Sequence, residues 1–147
     1  MELIFGARVR ENARPAGRLA GVEFDVTTRC VLQVLFSSDG ELGNHVLARP
    51  FSSVAADSGD IEIDPYAPSK QPPPESVILV SHTARITRAG HDVGHLIGIE
   101  VMPGIGELQA IVGRKNWWTR RFRLDATSLD LSVPGEIHAD TTPPRAA

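Results

Sequence analysis

The stretch GHLIGIEV, residues 94–101, repeats a stretch found 77 residues earlier, GRLAGVEF, residues 17–24. Four positions recur in register: Gly17 and Gly94, Leu19 and Leu96, Gly21 and Gly98, Glu23 and Glu100. The register extends upstream, where Ala7, Arg8 and Val9 match Ala84, Arg85 and Ile86. Downstream, Val31, Val34 and Leu35 match Leu108, Ile111 and Val112. It then slips by two residues, so that LARPFSSV (47–54) falls on FRLDATSL (122–129). A change in loop length accounts for the slip, because loops tolerate insertion at little cost. The period is too long for a solenoid, whose units run roughly 20–50 residues. An internal duplication of a small domain is the simpler reading.

Each copy has a period of two. His95, Ile97, Ile99 and Val101 are expected on one face, and Leu96, Gly98 and Glu100 on the other. Arg18, Ala20, Val22 and Phe24 repeat the first face. This predicts a half-buried strand and not a helix. A glycine inside such a strand marks a bulge, a bend or a close backbone approach.

The chain has 147 residues, and copies of roughly 60 residues would be marginal alone, so the two should pack together. The net charge of −3 is too small to argue for a partner class, but it is uneven. Residues 1–75 hold 11 acidic and 7 basic side chains, and residues 76–147 hold 7 and 8, which makes the second copy the more basic. The single cysteine, Cys30, excludes an intramolecular disulfide and fits a reducing compartment. No apolar run approaches the length of a membrane span, and the first residues do not read as a signal peptide. The cytoplasm is therefore the expected location.

Taken in order, residues 1–63 form the first copy. Residues 2–10 read as a strand, 11–16 as a turn around Pro15, 18–26 as the organising strand and 29–36 (RCVLQVLF) as a central strand. Asp39 and Gly40 signal a hairpin, residues 45–49 return, and residues 61–63 close the copy. Residues 64–75 (DPYAPSKQPPPE) hold five prolines and read as a stiff linker. Residues 76–138 form the second copy, with residues 107–113 as its central strand and 117–124 as its return strand. Residues 139–147 (ADTTPPRAA) read as a disordered tail. No long stretch has helical periodicity, so the chain is expected to be mostly β.

This pattern resembles the PRC-barrel, a small β-barrel domain found in the H subunit of photosynthetic reaction centres and in the ribosome maturation factor RimM. The residues that carry the resemblance in the first copy are Gly17, Arg18, Leu19, Ala20, Gly21 and Val22, followed by VLARPFSSV (46–54), where Pro50, Phe51 and Ser52 match a Pro-aromatic-small signature. The second copy supplies residues 94–101 and 122–129, but has Asp125 and Ala126 in place of Pro and the aromatic. The resemblance implies two tandem PRC-barrel-like β-barrels packed together. It also implies a non-enzymatic docking role on a protein partner or complex. A ribosome- or RNA-associated role, or one beside a photosynthetic complex, follows only by analogy with individual family members.

The most unusual stretch is RKNWWTRRFR, residues 114–123, with five cations and three aromatics in ten residues. Arg114, Lys115, Trp117, Trp118, Arg120, Arg121 and Arg123 are the candidate binding residues. Trp and Arg are favoured anchors at protein interfaces, and together they also suit phosphate contact with base stacking. As a plain strand, the same residues would put one Trp and Phe122 into the core and leave the arginines in solvent. His91 and His95, with His82 nearby, invite a metal reading, but no cysteine or carboxylate cluster completes a site. Glu23 and Glu100 would form a catalytic pair only if the two copies brought them within a few ångströms of each other. Cys30 has no nucleophile context, and there is no phosphate loop or local catalytic signature. The sequence therefore predicts no catalytic residue, cofactor, metal or small-molecule substrate.

Overall fold

The structure, a computed structural model, describes residues 1–43, 45–57, 59–64 and 76–139. The expected Pro-rich linker, apart from Asp64, and the expected tail beyond Ala139 lie outside these residues. Ala139 itself belongs to the fold: it is buried, and its N–H donates to the Thr87 carbonyl at 2.8 Å. The chain is mostly β. Its strands are β1 (Glu2–Ile4), β2 (Arg8–Glu11), β3 (Arg14–Asp25), β4 (Cys30–Ser37), β5 (Leu47–Pro50), β6 (Val54–Asp57), β7 (Asp60–Ile63), β8 (Val77–Ser81), β9 (Arg85–Arg88), β10 (His91–Val101), β11 (Leu108–Arg114), β12 (Phe122–Asp125) and β13 (Glu136–His138). Short 3-10 turns follow β5 (Phe51–Ser53) and β12 (Ala126–Ser128).

The strands form two sheets. One runs β5-β4-β3-β2-β7-β6 with β8 also on β3, and the other runs β12-β11-β10-β9-β13 with β1 also on β10. Among the described residues neither path closes on itself, so the two barrels expected from the sequence are here two open sheets.

β10, the organising strand, breaks the expected alternation. Its register on β11 jumps between Leu96 and Gly98. Leu96 is buried before the jump, and Ile99 and Val101 are buried after it. One extra residue in a bulge switches which parity points inward. β3 makes the same jump between Leu19 and Gly21, with Leu19 buried before it and Val22 and Phe24 after.

The edge pairings cross between the two segments of the sequence. β1, from the first segment, pairs with β10, and β8, from the second, pairs with β3. Leu3 lies opposite Ile99, and 77 positions on, Val80 lies opposite Val22. The two central glycines make these pairings possible. A Cβ on Gly98 would stand 2.7 Å from the Leu3 carbonyl oxygen, and one on Gly21 would stand 2.8 Å from that of Val80.

The sheets meet where β4 and β11 begin. Cys30 bridges antiparallel to Glu107, flanked by Val31 N–H to Gly106 O at 2.8 Å and Leu108 N–H to Arg29 O at 2.9 Å. Arg29 (φ +60°) and Gly106 (φ +81°) are both left-handed there, and their side-chain positions face different neighbours. The Arg29 guanidinium donates to the carbonyls of Ala126 (2.6 Å) and Leu129 (3.2 Å). Gly106 faces the Phe51 ring, 3.0 Å from where its Cβ would stand. A single apolar cluster runs through both sheets, from Leu3 and Phe24 to Ile111 and Ile137.

Asp25 closes the end of β3. Its Oδ1 accepts from Ser76 Oγ at 2.7 Å and from Thr27 N–H at 2.9 Å, and these bonds hold its carboxyl below the ordinary value. A carboxyl depressed in the fold stabilises above its unfolded pKa, near 4, and that contribution is lost as pH falls through the lower folded value. Asp25→Asn is therefore expected to lower the melting temperature at pH 7, with the difference from the parent shrinking toward pH 3. A difference that stayed constant with pH would contradict this role for the carboxylate.

Candidate functional site

The candidate residues lie on the hairpin between β11 and β12. Two glycines set its stem. At Gly94 (φ +150°) the Arg114 backbone passes so close that a Cβ would stand 2.6 Å from the Arg114 carbonyl oxygen. At Gly113 the absent side chain leaves room for the Phe122 ring, whose Cζ lies 2.5 Å from the Cβ position. Phe122 is packed against the core and anchors the return strand, as the sequence predicts.

The tip differs from the sequence reading. Residues 117–121 do not continue the strand; β12 begins only at Phe122. Instead, Asn116 and Thr119 close a tight turn: Asn116 N–H donates to Thr119 Oγ1 (3.0 Å), while the Thr119 hydroxyl and N–H reach the Asn116 carbonyl (2.8 and 3.1 Å). Trp117 and Trp118 are the two central residues of that turn, so neither can point into the core. They are 81% and 67% exposed, and their rings meet edge to face at 5.4 Å. The expectation that one tryptophan packs inside is corrected. A strand puts alternate residues inward, whereas a turn projects both. The signal was present as Asn and Thr flanking the pair, since short hydroxyl and amide side chains close turns on their own backbone.

The cations divide into three groups. Arg123 is committed within the fold: its Nε donates to Glu100 Oε2 at 2.8 Å, which keeps its pKa raised. Arg114 is half-buried opposite His95, with its Nε buried and without a hydrogen-bond partner among the described residues. Lys115, Arg120 and Arg121 are exposed. Arg120 and Arg121 have no ion pair among the described residues. The positive charge of Lys115 adds slightly to the lowering of the Asp92 carboxyl, which comes mainly from its bond with Arg85. The hairpin thus presents two indoles and three cations, with no acidic residue between positions 115 and 121.

The other candidates are not brought together. Glu100 is held by Arg123, while Glu23 accepts from Gln33 Nε2 at 2.7 Å in the other sheet. His82 sits beside Glu41 at 3.0 Å, and His91 is exposed on β10. Among the described residues, no three His, Cys, Asp or Glu side chains converge as metal ligands, and no helix is long and apolar enough to cross a membrane. In comparison with known proteins, the chain matches no family model and no curated protein.

Proposed function

We propose that this chain is a non-enzymatic, PRC-barrel-like binding protein of the cytoplasm. In this reading it consists of two copies of one β unit, arisen by duplication, that dock on a protein partner through residues 114–123. The constant spacing of 77 residues between the edge pairings supports the duplication. The observation that carries the docking role is the turn Asn116–Thr119, which holds two indoles out of the core beside three cations. Exposed aromatic surface of this size is costly to leave in water. A partner that covers it gains roughly 2–3 kcal/mol per tryptophan, while the cations set orientation and on-rate.

The same cations and indoles suit a second reading, in which the hairpin contacts the phosphates and bases of RNA in a ribosome-associated role. The acidic first half weighs against it.

Trp117→Ala combined with Arg121→Glu changes only exposed side chains, so the fold should hold to within about 0.5 kcal/mol. Tagged parent and variant are compared for capture from native lysate, with and without nuclease, and for affinity to each captured protein. The expected result is nuclease-resistant capture that the variant weakens about 30-fold or more, equivalent to about 2 kcal/mol. Capture that vanishes with nuclease would favour RNA. Undiminished affinity in the folded variant would exclude the hairpin as the docking surface.

A further inference from the structure

We infer that the hairpin's partner presents an extended segment of alternating acidic and apolar residues, which pairs with the free edge of β12 as an added strand; this rests on the docking reading above. β12 ends its sheet, and among the described residues no backbone–backbone hydrogen bond reaches it from the side away from β11. An unpaired edge is a template for another strand. In the other sheet the edge strand β5 lacks a donor that β12 keeps. The last rung of β5 is Gln33 opposite Pro50, and that of β12 is Ala110 opposite Asp125. Both residues open a 3-10 turn with nearly the same backbone, φ −62° and ψ 145° for Pro50 and φ −66° and ψ 140° for Asp125. A proline in an edge strand stands where the N–H side faces away from the ladder. Asp125, on the matching rung, therefore turns an N–H donor outward, and Arg123, two residues before it, does the same.

The faces of β12 dictate what the added strand carries. Phe122 and Leu124 are half-buried against the core, while Arg123 and Asp125 are exposed on the other face. Residues directly opposite on neighbouring strands share a face. Side chains beside Phe122 and Leu124 are therefore apolar and cover the open rim of the core. Those on the other face toward the hairpin are acidic, because residues 114–123 hold five cations and no acid. Among the described residues, Arg123 alone of the five has an ion pair. The β12 edge of a second copy is a poor occupant, since it would bring like charges together.

Fluorescence anisotropy of the full chain with a labelled peptide of four Val-Glu repeats, at about 50 mM salt, tests this. The peptide is expected to bind saturably, and four Val-Lys repeats are not. Four Ser-Glu repeats, with the same charge but no apolar face, are expected to bind at least about 10-fold more weakly. Trp117→Ala with Arg121→Glu should weaken the Val-Glu peptide by about 10-fold or more. Asp125→Pro is the sharper variant, because the backbone there already suits proline. It removes a negative charge, which alone would tighten an acidic peptide, yet loss of the outward donor should weaken binding about 5-fold. No binding up to about 1 mM, equal binding of the Ser-Glu peptide, or an Asp125→Pro protein that binds as well as the parent overturns the inference. If the peptide fails to bind but the hairpin variant still loses a captured protein, the added strand fails while the docking reading stands.

Discussion

Replacing Gly98 with valine is expected to cost about 4 kcal/mol, a large part of the roughly 5–15 kcal/mol that holds a domain of this size. The cost arises because a Cβ at this position meets backbone as well as side chain. It would stand 2.7 Å from the Leu3 carbonyl oxygen and 3.1 Å from the Ile4 Cα, so β1 has to move. Moving β1 uncovers Leu3, which is fully buried, and weakens the ladder to β10 and the bonds between Met1 and Val101. Exposing one large aliphatic side chain costs about 2–3 kcal/mol, and the broken pairing supplies the rest. Gly21→Val should act in the same way on β8, whose Val80 is buried, through the 2.8 Å approach of the Val80 carbonyl. Gly43→Ala is the control, because no atom lies within 4 Å of its Cβ position, and it should fall within about 0.5 kcal/mol of the parent. Urea denaturation gives the energies, and amide exchange on residues 2–4 reports whether β1 has left the sheet. A Gly98→Val protein within about 1 kcal/mol of the parent, with β1 amides still protected, would refute the account.

Those glycines show how far the sequence could be read. Gly21 and Gly98, inside apolar strands, already signalled a bulge, a bend or a close backbone approach. That the approaching backbone belongs to the other half of the chain was not legible, because a residue carries no local mark of a partner many tens of positions away, Val80 for Gly21 and Leu3 for Gly98. The β class and the central strands were visible in their composition and turn signals, as at Cys30–Ser37. The inward face of β10 was misread because one bulge residue inverts parity without changing composition. At the hairpin, the aromatic and basic residues stood out at once, but alternation placed one tryptophan inside. The Asn116–Thr119 turn placed both outside, and only its flanking polar residues hinted at this. Side-chain volume is also exchanged between the halves. Phe36 lies opposite Leu47, while at the corresponding rung Gly113 lies opposite Phe122. Such exchanges keep the core filled while leaving the two halves different at each of these positions.

The clearest exchange lies where the sheets meet. Ala126 stands where the first half has Phe51, and the Arg29 guanidinium lies over it, with Nη2 on the Ala126 carbonyl at 2.6 Å. In the other half the large residue is Phe51 and the facing position is Gly106, with ring carbons 3.0 and 3.2 Å from its Cβ position. One half pairs a long cation with a small residue, and the other pairs no side chain with a ring. Ala126→Phe alone should therefore destabilise by about 3 kcal/mol, since the ring enters occupied space and displaces the guanidinium from both carbonyls. Arg29→Gly alone loses those bonds but relieves a left-handed φ of +60°, for a net cost of about 1–2 kcal/mol. Together, the two substitutions recreate the Gly106–Phe51 arrangement in the second half, and the double variant should be no worse than Arg29→Gly alone. That corresponds to a coupling energy of about 3 kcal/mol in a double-mutant cycle read by urea denaturation, well above the 0.3–0.5 kcal/mol scatter of independent sites. Additive costs would mean that the ring finds no room when the arginine is gone, and that the two halves are not interchangeable at this contact.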